Sequence, residues 1–201
     1  LEPRLRVLRH AARDANPDAR HLAAVALQNA LKIGHITCSG NPPEDIPGMP
    51  VQEWRPATYG EWIDAILRYL DLVRELVTDQ EPMVRLAAVN ALAEALDAAI
   101  KFPRVLPKWT EIARLLIGTD YELRGRLAHA IDSEIARAEI SKERPDVQGT
   151  DQPAGEERRA VGQEVAQRLQ VVEAVMQELL GDSFSSRLRW ISEREPWRLH
   201  T

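Results

Sequence analysis

Three segments of this chain carry versions of one fourteen-residue phrase: "DANPDARHLAAVAL" at 14–27, "DQEPMVRLAAVNAL" at 79–92 and "GTDYELRGRLAHAI" at 118–131. Nothing else in the sequence restricts the fold as strongly, because a recurring phrase implies a recurring supersecondary unit. In alignment, Arg20, Arg85 and Arg124 share a column. Ala19, Val84 and Leu123 precede them, and Leu27, Leu92 and Ile131 close the phrase. Pro17 and Pro82 stand at a first helical position, where a missing N–H is harmless. Asn16 and Asp120 stand one place earlier, where N-caps are expected. A weaker fourth copy, "GDSFSSRLRWISE" (181–193), puts Arg187 in the arginine column.

The four arginines are 65, 39 and 63 residues apart. The middle interval is the length of one two-helix unit. The outer intervals exceed it by 26 and 24 residues, and each excess falls where helix breakers accumulate. Residues 35–58, "HITCSGNPPEDIPGMPVQEWRPAT", contain five prolines and two glycines, so no helix continues through them. Residues 144–155, "RPDVQGTDQPAG", read as a polar loop. The extra length of a helix at 157–180 accounts for the rest.

Between the breaks the apolar residues follow a helical period. Trp62, Ile66, Leu70, Val73 and Val77 form one stripe, and Val84, Ala88, Leu92, Ala95 and Ala99 a second. Leu123, Leu127, Ile131, Ile135 and Ala138 form a third. Val161, Val165, Leu169, Val172, Met176 and Leu179 form a fourth. Thr58 and Glu61 have capping-box spacing, which predicts a helix start there. No stretch alternates with period two, and no hairpin signal is present. The class is all-α. The expected pairs are 3–13 with 17–34, 59–77 with 82–101, 107–117 with 121–143, and 157–180 with 183–193.

At this point the chain resembles the HEAT-like (HEAT/armadillo-type) helical repeat family. The residues that carry the resemblance are Pro17, Ala19, Arg20, Ala23 and Leu27, then Asp79, Pro82, Val84, Arg85, Ala88 and Leu92, then Leu123, Arg124 and Ile131. The resemblance implies a right-handed α-solenoid of about four antiparallel helix pairs in a single domain, 1–201, with two inter-repeat insertions at 35–58 and 144–155. The repeats would run at about 1–34, 59–101, 107–143 and 157–193. It also implies a structural ladder in which aspartate and arginine link neighbouring repeats. Asp14 with Arg20 and Asp79 with Arg85 match that pattern. The third copy has Gly118 in the aspartate column, which puts the rung of Arg124 in question. Packing physics agrees: one helix pair cannot bury its apolar face alone, so pairs stack and share a core. The alanines of each second helix allow close approach.

Candidate chemistry is sparse. "GHITCSGN" (34–41) lacks the ending of a phosphate-binding loop. His35 and Cys38 have the spacing of half a zinc site, but there is no second cysteine and His10, His21, His129 and His200 are scattered. The sequence therefore indicates no metal and no cofactor. A nucleophilic Cys38 lacks an orienting partner in the sequence. Trp54, between Glu53 and Arg55, either pins its loop or serves as an anchor for a partner. Trp190 and Trp197 either cap the last repeat or mark where a neighbouring domain packs. These five, Glu53, Trp54, Arg55, Trp190 and Trp197, are the candidate partner-binding residues. Both insertions follow the second helix of a pair, so both should rise on one edge of a solenoid, a common place for binding decorations.

Composition then selects among functions. A net charge of −5 disfavours non-specific nucleic-acid binding, although an arginine column could still form a basic stripe. No apolar run approaches a membrane span, and one cysteine excludes an internal disulfide. The 22 arginines against 4 lysines suit a GC-rich bacterial genome. Numbering from a leucine suits a piece excised from a larger protein. The expectation is a cytoplasmic, non-enzymatic protein-interaction or scaffold module. A HEAT-like nucleic-acid-binding or DNA-repair protein is the first alternative, and an enzyme using the 35–58 loop is the second.

Overall fold

The computed structural model describes residues 1–32, 56–143 and 155–181. Within them the chain forms α1 (Glu2–Ala12), α2 (Pro17–Leu31), α3 (Tyr59–Leu76), α4 (Pro82–Glu94), α5 (Leu96–Lys101), α6 (Leu106–Arg114), α7 (Tyr121–Glu143) and α8 (Gly155–Leu180). No strand occurs among the described residues. The partner expected for α8, at 183–193, lies outside them.

The helix starts follow local chemistry. Asn16 accepts a hydrogen bond from the backbone N–H of Asp18 at 3.0 Å, just ahead of Pro17. The Thr58 hydroxyl accepts from Glu61 N–H at 3.2 Å, and the Glu61 carboxylate accepts from Ala57 N–H at 2.9 Å. The capping box therefore closes one residue earlier than its usual form.

Two layers of contact organise the helices. In one, α1 packs on α3, α3 on α6 and α6 on α8. In the other, α2 packs on α4 and α4 on α7. The layers join through α1 with α2 and α3 with α4, as expected, and through α7 with α8; the expected pair of 107–117 with 121–143 is not a principal contact, because α6 and α7 both pack on α8. Of the two helices, α2 buries Ala23, Ala24 and Leu27 and α4 buries Ala87, Ala88 and Ala91. Such small side chains bring helix axes together at the short end of the ~8–10 Å range.

The expected helix at 82–101 is interrupted. Ala95 keeps near-helical angles (φ −76°, ψ −6°), and its N–H bonds back to Ala91 and Ala93. No proline or glycine causes the break. Its effect is positional: α4 stays between α2 and α7, while α5 reaches α6 and α8 and buries Leu96, Ala98, Ala99 and Ile100. Trp109 of α6 fills the space between the layers. It is fully buried, and its indole N–H donates to the Leu92 carbonyl at 2.8 Å.

Candidate interaction surface

The arginine column defines one edge of the molecule. Arg20 donates through Nη1 to the carbonyls of Asp14 and Ala15 at 2.9 and 3.0 Å, closing onto the turn before its own helix. Its Nε and Nη2 grip the Asp79 carboxylate of the next unit at 2.7 and 3.2 Å. Arg85 repeats the arrangement. Its Nη1 bonds the carbonyls of Asp79 and Gln80 at 3.0 and 3.2 Å, and its Nη2 lies 3.7 Å from Asp120. Arg124 bonds the Thr119 carbonyl at 2.9 Å through Nε and the Leu179 carbonyl at 3.0 Å through Nη1.

Each described arginine of the column thus holds its own turn with one arm and the next element with the other. Asp14 is different: its carboxylate accepts from Asn16 N–H at 2.8 Å and forms no ion pair with a described arginine. The acid facing Arg85 is Asp120, two places beyond the aligned column. Gly118 explains that displacement. Its φ is +86°, a conformation that non-glycine residues strongly disfavour. The turn therefore takes glycine at the aligned place, and the acid appears two residues on. Arg187 lies outside the described residues.

The Arg20–Asp79 pair is the most sheltered of these contacts, with side chains 17% and 11% exposed. Burial alone would raise the Asp79 pKa. The bond from Arg20, the N–H groups of Glu81 and Gln80 and the Arg20 charge outweigh it, and the carboxyl sits below its ordinary range.

Exposed ion pairs run along the α1, α3, α6, α8 layer. Arg13 grips Glu75 at 2.7 and 2.9 Å, Lys108 meets Asp71 at 2.7 Å, Arg74 meets Glu111 at 3.2 Å, and Arg114 grips Glu178 at 2.8 Å through two nitrogens. The bonds from Arg13 and Arg114 lower the pKa of Glu75 and Glu178 respectively.

The opposite layer holds a cleft. Gln28 of α2, Asn90, Ala93 and Glu94 of α4, and Arg126, His129 and Ala130 of α7 line a space of about 240 Å³. Gln28 donates to Glu94 at 3.3 Å, and Lys32 lies 3.8 Å from the same carboxylate. Arg126 donates through Nε to the Asn90 side-chain oxygen at 2.7 Å. On the same layer, Leu22 of α2 and Met83 of α4 are 68% and 61% exposed. Neither cleft nor apolar residues stood out in the sequence, because three helices far apart in the chain supply them. The helical spacing of Arg126, His129 and Ala130 is the only local signal.

An aromatic cluster marks the start of α3. Trp62 and Phe102 meet edge-on at 5.2 Å between ring centroids, and Tyr59 lies 6.0 and 6.3 Å from them. Tyr59 is 74% exposed.

The candidate partner-binding residues Glu53, Trp54, Arg55, Trp190 and Trp197 lie outside the described residues, as do His35 and Cys38. Among the described residues no group of three or more His, Cys, Asp or Glu is placed to hold a metal ion. No described helix is long and apolar enough to cross a membrane. No protein-family model, curated protein or solved structure matches the chain.

Proposed function

We propose that the chain is a HEAT-like scaffold, a right-handed solenoid of stacked helix pairs, that binds a protein partner on the surface of α2, α4 and α7. The observation that carries this reading is the asymmetry between the two layers. On α1, α3, α6 and α8, cations and carboxylates pair across each helix boundary. On the other layer, a cleft shared by three helices carries a guanidinium without a carboxylate partner among the described residues, and α2 and α4 also expose Leu22 and Met83. Exposed apolar anchors together with polar groups are the composition of a protein interface. The mixed charge of Glu94 and Arg126 supports a protein over a nucleic acid, which selects continuous positive potential.

The edge bearing the insertions belongs to the same reading. The insertions at 35–58 and 144–155 follow α2 and α7, the helices that flank α4. Affinity capture from a lysate of the source cells, read by mass spectrometry, tests the proposal. The intact chain should retain a specific protein. A variant lacking 40–56 and 146–154, and one carrying Leu22→Ser with Met83→Ser, should each retain less of it while keeping the helical circular dichroism. Capture undiminished in both variants sinks the reading.

A further inference from the structure

From the cleft between α2, α4 and α7 we infer that the partner is held through an acidic side chain, with a glutamate best suited to the space. The inference rests on the scaffold reading and adds the chemistry of the bound group. Small-molecule sites usually occupy ~300–1,000 Å³. At about 240 Å³ the cleft is smaller, and it suits one anchoring side chain of a polypeptide. Its charges then choose the side chain. Glu94 is already engaged by Gln28 at 3.3 Å and by Lys32 at 3.8 Å, so a basic ligand meets a carboxylate that is partly neutralised. Arg126 is the reverse case. Asn90 takes its Nε at 2.7 Å, which fixes the plane of the guanidinium. Its two terminal nitrogens donate to no described residue, and it forms no ion pair with a described carboxylate.

A planar fork held by one bond, with its other end unengaged by any described residue, is the geometry that a carboxylate accepts with two parallel hydrogen bonds. Ala93 and Ala130 supply a small apolar floor. The methylenes of a glutamate can lie on it while the carboxylate reaches Arg126. The Asn90 oxygen points its lone pairs at Arg126, which leaves the Asn90 amide N–H groups to meet a main-chain carbonyl of the same segment.

Peptide display tests the assignment, with random peptides selected against the intact chain. Selected peptides should share a glutamate or aspartate. Changing it to glutamine should weaken binding by at least about tenfold, as should Arg126→Ala, and the two changes together should cost little more than either alone. Arg126→Lys, which keeps the charge and loses the fork, should fall between. Arg137→Ala, on the same helix and outside the cleft, should bind as the parent does. Circular dichroism of each variant separates loss of binding from loss of fold. Peptides that bind Arg126→Ala as tightly as the parent overturn the cleft assignment and leave the scaffold reading standing. A selection that yields no peptide overturns both. Free glutarate that displaces the peptide at the peptide's own concentration also overturns the assignment, because the cleft would then serve a small dicarboxylate.

Discussion

Asp79 does three things at once: it binds Arg20, accepts from Glu81 N–H at 2.9 Å, and lends its carbonyl to Arg85. Asp79→Ala removes the first two and leaves a half-sheltered guanidinium uncompensated. Exposed ion pairs contribute ~0.2–1 kcal/mol, and breaking a buried one costs ~3–5. A loss of about 2 kcal/mol is expected for Asp79→Ala in urea denaturation, and under about 1 kcal/mol for Glu75→Ala, whose pair with Arg13 is exposed. Acid should act through the same groups. Asp79, Glu75 and Glu178 have folded pKa values below their ordinary ones. Their stabilisation is therefore complete above the unfolded values near ~4 and is lost as pH falls through the folded ones. Melting temperature should drop below about pH 4, less steeply for Asp79→Ala than for the parent. At this scale the sequence was partly legible. The arginine column and Asp79 stand in aligned places. Asp120 does not, because the backbone demand at Gly118 displaced it, and a positive φ leaves no mark on apolar periodicity.

Two glycines report opposite demands on their elements. Gly162 lies inside α8, and a Cβ there would meet nothing within 4 Å. Gly162→Ala should stabilise the helix by up to ~1 kcal/mol. Gly118 also has free space, but its φ of +86° makes any side chain strained, so Gly118→Ala should destabilise by about 1 kcal/mol or more. Thermal denaturation of the two variants checks the signs, and shifts in the same direction contradict this account. Helix periods were readable at this scale because α3 and α6 bury one face each. The break at Ala95 was not, since its sequence, "NALAEALDAA", favours uninterrupted helix. The turn toward α6 is a tertiary choice that follows the burial of Leu96 and Ile100. Trp109 was equally hard to single out. It sits on the stripe of Ile112, Ala113 and Leu116, but its bond to Leu92 exists only once the layers meet.

Across the molecule, stability should be graded by the number of neighbours each helix has. Helix α4 touches α2, α3, α5, α6 and α7, whereas α1 touches α2 and α3. Amides around Ala88, Val89 and Leu92 should therefore exchange hydrogen most slowly, and those of α1 much faster, in exchange read by mass spectrometry. Uniform protection would mean that the helices open as one unit. The pairing of α1 with α2 and of α3 with α4 was legible in the repeat phrase, whereas α7 packs chiefly on α8 and α4 and not on α6, the partner the phrase assigned it. The cleft was not legible, because residues from three helices compose it and no single window of sequence contains it. The arginine contacts also bear on how such a chain can be cut and rejoined. Arg20 closes its own turn but finds its carboxylate beyond α3, and Arg124 ends on the last turn of α8. A segment excised at the boundaries of the written phrase would carry a guanidinium and leave its acceptor behind. The transferable piece runs from one arginine through the turn that receives it. A duplication or graft drawn on those borders keeps every joint closed.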